Sequence, residues 1–172
     1  MTSAPVAADA AELLTLLTTG TLSAEELTAA TEAVLLAAHD PDAYFDQYLN
    51  EEEHGWLRDC GASMVEVALT EAIGQDLCRS DKADELYEQV SEQFSEPLPE
   101  APSHYRYLHE YLHLLDTELQ RRGPQPGGYE LLEFGDSYSD ELQVLLVFRK
   151  DTPRLLALGQ QFAVHLARTQ SA

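Results

Sequence analysis

"YELLEFGDSYSDELQVLLVF", Tyr129 to Phe148, is the stretch of this chain with the strongest β-strand pattern. Two runs rich in Leu, Val and aromatic residues flank "GDSYSD", a stretch of turn-forming residues. The pattern predicts two antiparallel strands, "YELLEF" and "ELQVLLVFR", joined as a β-hairpin. The second run is apolar on both faces, with Leu142, Val144 and Leu146 opposing Leu145 and Val147. Such a strand belongs inside a sheet with both faces covered. Nearly all of the remaining chain reads as helix, so the hairpin makes the class α+β.

Downstream, "DTPRLLALGQQFAVHLART" predicts a closing helix with Asp151 or Thr152 as cap and Pro153 at its start. Upstream, a helix beginning at Ser103 ends near Arg121-Arg122-Gly123, basic residues followed by glycine. Before it, "SEPLPEAPS" at 95–103 holds three prolines and reads as a long loop inside one domain. "RSDKADELYEQVSEQF" is helical, with Leu86, Tyr87, Val90 and Phe94 on one side. "AIGQDLC" is short and suits a strand. "HGWLRDCGASMVEVALTEA" places Trp56, Leu57, Cys60, Met64, Val67 and Ala68 in one helical stripe. The first 52 residues read as helices only: one over 8–18, one opened by the Ser23/Glu26 capping box, one with Asp40 as cap and Pro41 in its first turn.

The expectation is therefore a single α+β domain over residues 1–172. A small sheet of about three strands, with a C-terminal β-hairpin, is covered by helices. Residues 1–52 form a helical, acidic N-terminal extension, and residues 53–172 a core of helix-strand-helix followed by helix-hairpin-helix.

Net charge is −21, from 31 acidic and 10 basic side chains. No Lys or Arg precedes Arg58, while that segment holds eleven Asp and Glu. Such a surface disfavours nucleic acid and anionic membranes; it reads first as a solvated acidic surface that favours solubility, and a protein partner, if there is one, would be basic. At 44% the apolar fraction is too high for a disordered chain. The N-terminus lacks a basic n-region and a continuous apolar h-region, and no apolar run is long enough to span a bilayer. Cys60 and Cys78 are spaced too widely for a CxxC pair and read as reduced thiols. A cytoplasmic protein is expected. Trp56 and the eight tyrosines read as core or amphipathic edge, with a binding surface as the alternative.

One motif carries chemistry. His109-Glu110-x-x-His113 has the spacing of zinc peptidases, in which two histidines one turn apart hold the metal and Glu serves as general base. Against it, Leu108, Leu112, Leu115 and Leu119 define the apolar face, and the two histidines lie about 110° away, beside Arg106, Asp116 and Gln120. Asp116 is placed to pair with His113 at i,i+3. A third ligand would have to be Glu130, Glu133 or His165. The last falls near Leu155, Leu158 and Phe162 and reads as partly buried. The sequence favours an ordinary core helix, with no metal, cofactor or catalytic residue. Ser137 or Ser139 as nucleophile lacks a base and an elbow, and "DSYSDE" fails the calcium-loop pattern.

The hairpin, with Ser139-Asp140 and Val144 to Val147, resembles the C-terminal part of an uncharacterised bacterial domain family of unknown function. Upstream, the Trp56 helix, "GQDLC" with Asp76 and the acidic helix after it resemble the same family's helix–strand–Asp–helix segment. Leu77 and Leu142 stand where an aromatic residue is usual. The resemblance covers roughly residues 54–168; it implies an α+β domain and carries no catalytic residues. The functional expectation is a small non-enzymatic protein-binding module, an immunity or antitoxin-like role being one form. The alternative is a small zinc-dependent hydrolase using His109, Glu110 and His113.

Overall fold

The computed structural model describes residues 4–135 and 141–169. The fold is α+β, and the described residues form eight α-helices and four strands. By its internal contacts the chain divides into two units: Met1–Gln75 with Arg154–Val164, and Asp76–Pro153 with His165–Ala172.

The first unit is helical. It contains α1 (Ala7–Leu17), α2 (Ala24–His39), α3 (Pro41–Tyr48), α4 (Glu51–Asp59) and α5 (Met64–Ile73), together with most of α8 (Thr152–Phe162). Local signals set several helix starts. The Glu26 N–H donates to Ser23 Oγ at 3.3 Å and the Ser23 N–H to Glu26 Oε2 at 2.8 Å, a closed capping box. Asp40 accepts the Ala43 N–H at 3.0 Å, with Pro41 in the first turn. Helix α2 packs against α1, α3 and α5, and Leu13, Leu14, Leu17, Val34, Tyr44, Leu69 and Ile73 are almost wholly buried. Arg154 of α8 pairs with Asp9 and Glu12 of α1 at 3.3 and 2.5 Å.

The expected single stripe from Trp56 to Ala68 is instead two helices. Gly61, at φ +72°, breaks the run, and Ser63 caps α5 through the Glu66 N–H. Leu57, Met64 and Ala68 are buried, but Trp56 and Cys60 are exposed.

The second unit holds the sheet, in the order β1-β3-β2-β4, with β1 (Leu77–Ser80), β2 (Tyr129–Phe134), β3 (Leu142–Phe148) and β4 (Leu166–Arg168), every neighbouring pair antiparallel. The hairpin strands pair as expected, Leu131 opposite Leu146, and β3 is an interior strand with Val144 to Val147 all buried. The connection itself, residues 136–140, lies outside the described residues, and with it Ser137, Ser139 and Asp140. Helices α6 (Ala83–Glu92) and α7 (Leu108–Leu119) cover one face. Leu86, Tyr87, Val90, Leu112, Leu115 and Leu119 form one core with Leu131, Val144 and Leu146. The proline-rich segment crosses this unit as loop, and the Tyr87 hydroxyl donates to the Pro99 carbonyl. The outer edge of β1 is closed by a side chain. The Arg79 N–H donates to Gln89 Oε1, and Gln89 Nε2 donates back to the Arg79 carbonyl, both at 2.9 Å.

The sheet thus has four strands rather than about three. The extra strand comes from the end of the expected closing helix. Ala163 takes a left-handed conformation at φ +55° and stops α8, and the chain then runs extended along β2, with Leu132 opposite Arg168. Helix α7 begins at Leu108, not at Ser103, because the residues before it form turns. No helix among the described residues is long and apolar enough to cross a membrane.

Candidate functional site

Three groups of residues merit a functional reading. The first is the His109-Glu110-x-x-His113 motif at the start of α7. Because the helix opens at Leu108, Glu110 is its third residue, and its carboxylate turns back over the helix end. Glu110 Oε2 accepts the Arg106 N–H at 2.8 Å and the Tyr107 N–H at 2.9 Å. Those two bonds hold its pKa below the ordinary Glu value. The carboxylate is therefore engaged as a helix cap rather than free to act as a base. His109 and His113 are exposed, on the polar side that the leucine spacing predicts. The His109 ring stacks on Tyr107, centroids 5.7 Å apart.

The expected partner of His113 is taken elsewhere. Asp116 accepts from Arg149 at 2.6 Å and from Gln120 at 2.8 Å. The three residues considered as third ligands lie on the sheet. Glu130 is buried in β2, Glu133 is in the same strand, and His165 stands before β4, exposed rather than packed on the apolar side of a helix, at 3.9 Å from Glu133. Among the described residues no three His, Cys, Asp or Glu side chains are grouped to hold a metal ion.

The second group is a polar network at one end of the sheet. Glu130, 4% exposed, accepts from Arg168 at 2.7 Å and lies 3.7 Å from Arg149. Arg149 also donates to the Tyr129 carbonyl at 3.2 Å. Two carboxylates and two guanidiniums balance one another. They tie β2 to the end of β3, to β4 and to α7, a structural role.

The third group is on the surface of α3 and α4. Three glutamates open α4, Glu51, Glu52 and Glu53, at the end where a helix dipole favours negative charge, and Asn50 caps it by accepting the Glu53 N–H at 2.8 Å. Leu57 turns inward. Trp56 turns outward and is 53% exposed. Glu52 precedes it by one turn and Asp59 follows by nearly one, so all three share a face, with Glu53 at its margin. Arg58 lies over the Phe45 ring at 3.7 Å and is shared among Asp42, Asp46 and Glu51, at 3.7, 3.2 and 3.0 Å. Among the described residues no basic side chain is paired with Glu52, Glu53 or Asp59. Tyr48, which ends α3, is also exposed, its ring stacked on Tyr44 at 5.1 Å.

Trp56 is thus not a core residue: the helix buries Leu57 and presents its tryptophan outward. The available signal was Gly61, which ends the stripe that made Trp56 look internal. Tyr44 and Tyr87 are core as expected, whereas Tyr48 and Tyr107 are not.

No family model, no curated protein and no solved structure matches this chain.

Proposed function

We propose that the protein is a non-enzymatic binding module whose α4 surface docks a basic segment of a protein partner. The observation that carries this reading is Trp56, 53% exposed beside carboxylates that no basic side chain among the described residues neutralises. A tryptophan left half in water forgoes roughly 2 kcal/mol of burial, and Trp is the residue most enriched at the energetic centres of interfaces. Glu52, Glu53 and Asp59 around it define the partner's chemistry. A Lys or Arg side chain reaching this face meets an indole for cation–π contact and carboxylates for charge-assisted hydrogen bonds. The excess of negative charge in the first unit would steer such a partner during approach. The same charge disfavours nucleic acid.

The test is affinity capture with wild-type protein beside Trp56→Ala and Glu52→Lys/Asp59→Lys variants, followed by identification of the bound protein. The expected result is a basic protein that wild type retains and both variants lose. Equal retention by all three, or no specific protein retained by wild type, would overturn the reading.

A further inference from the structure

The start of α7 is chemically unlike the rest of this surface. Between Glu100 and Glu110 the chain carries no Asp or Glu and one Arg, in a chain of net charge −21. Two copies of so acidic a protein repel each other, and the repulsion is weaker where acid is sparse. This stretch also exposes apolar surface: Tyr107 is 63% and Leu108 39% exposed. His109 and His113, both exposed, stand one helical turn apart beside them.

Two imidazoles at that spacing supply two nitrogen ligands from one side of a helix. The neighbouring carboxylates are engaged, Glu110 by two backbone N–H groups and Asp116 by Arg149. One copy therefore offers half of the four ligands of a closed tetrahedral zinc site.

We infer that this face is a zinc-bridged contact between two copies of the chain, in which His109 and His113 of each copy complete a four-nitrogen site. A two-fold axis through the metal gives both copies the same role. Tyr107 and Leu108 flank the axis and bury apolar surface against their counterparts. In this site zinc has no open position for water, and Glu110 remains a helix cap. The inference is independent of the α4 reading, because it uses other residues and another partner.

Sedimentation velocity of untagged, chelator-treated protein titrated with zinc chloride tests it. The expected result is a monomer that becomes a dimer at about half an equivalent of zinc per chain, reversed by EDTA. His109→Ala and His113→Ala should each abolish the zinc-dependent dimer, with circular dichroism confirming that both variants are folded. His104→Ala should leave it intact. Three results would overturn the inference: a chain that stays monomeric with zinc, one zinc bound per chain without change of mass, or a zinc dimer that survives the His109→Ala/His113→Ala double substitution.

Discussion

The carboxylate of Glu110 accepts the backbone N–H of Tyr107 at 2.9 Å, and this contact changes the meaning of the His-Glu-x-x-His spacing. A residue that would be a general base in a zinc peptidase closes the first turn of a core helix. Glu110→Ala should lower the melting temperature, while Glu110→Gln, which keeps an accepting oxygen, should retain most of it. The pH dependence has a definite sign. The folded pKa lies below the ordinary value of 4.5, so the stabilisation is complete above that value and is lost as pH falls through the folded one. Thermal melts between neutral and acidic pH should show the wild-type advantage over Glu110→Ala shrinking in acid. A constant advantage would contradict the cap assignment.

The two cysteines should behave oppositely. Burial pushes the Cys78 thiol up to about 11, with Gln93 Nε2 donating to its sulfur at 3.2 Å. Cys60 ends α4 and is exposed. Native protein at pH 8 should react with one equivalent of a thiol reagent, at Cys60, and with two only when unfolded. Rapid native labelling of Cys78 would contradict its place in the core.

Arg149 should be costly to remove. It links Asp116 of α7 to Glu130 of β2, and Glu130 is almost inaccessible to water. Arg149→Ala leaves Asp116 without its counter-charge and Glu130 with Arg168 alone, a loss of about 3 kcal/mol in denaturant unfolding. Restoring charge balance with Asp116→Asn should recover part of it. A loss below about 0.5 kcal/mol, as for a surface pair, would contradict the network.

Two glycines give a contrast. Gly128, at φ +65°, closes the approach to β2, and a Cβ there would lie 2.3 Å from the Leu119 carbonyl oxygen and 2.6 Å from that of Gln120. Gly20, at φ +82°, has nothing within 4 Å. Gly20→Ala should cost only the left-handed penalty, about 1–2 kcal/mol. Gly128→Ala should cost clearly more, because backbone must move. Equal losses in urea unfolding would contradict the packing of α7 against β2.

Much of this fold could be read in the sequence because its signals are local. Ser23 with Glu26, and Asp40 with Pro41, announce their helix starts within four residues, and the Tyr129–Phe148 hairpin announces itself by composition. What was hidden depends on contacts distant in sequence. "AVHLA" has apolar residues that suit a helix as well as a strand, and only pairing with β2 makes residues 166–168 a strand. Ala163 carries no turn signature, so the end of α8 is not marked. Gly61 did mark the break between α4 and α5, but an apolar stripe continuing beyond it outweighed a single glycine. The histidines of α7 lie on the predicted side because the spacing of Leu112, Leu115 and Leu119 fixes the buried face, although Leu108, expected on that face, is exposed. The capping role of Glu110 was legible only once the helix was seen to open at Leu108.

The proposed binding of a basic partner to α4 through Trp56 is tested by the affinity of the captured partner for wild type and Trp56→Ala at low and high salt. Isothermal titration should show Trp56→Ala weakening binding by about 2 kcal/mol or more, with Glu52→Lys/Asp59→Lys weaker still at low salt. Wild-type affinity should fall as salt rises, because screening removes the carboxylate contribution. An affinity unchanged by Trp56→Ala and insensitive to salt would contradict it.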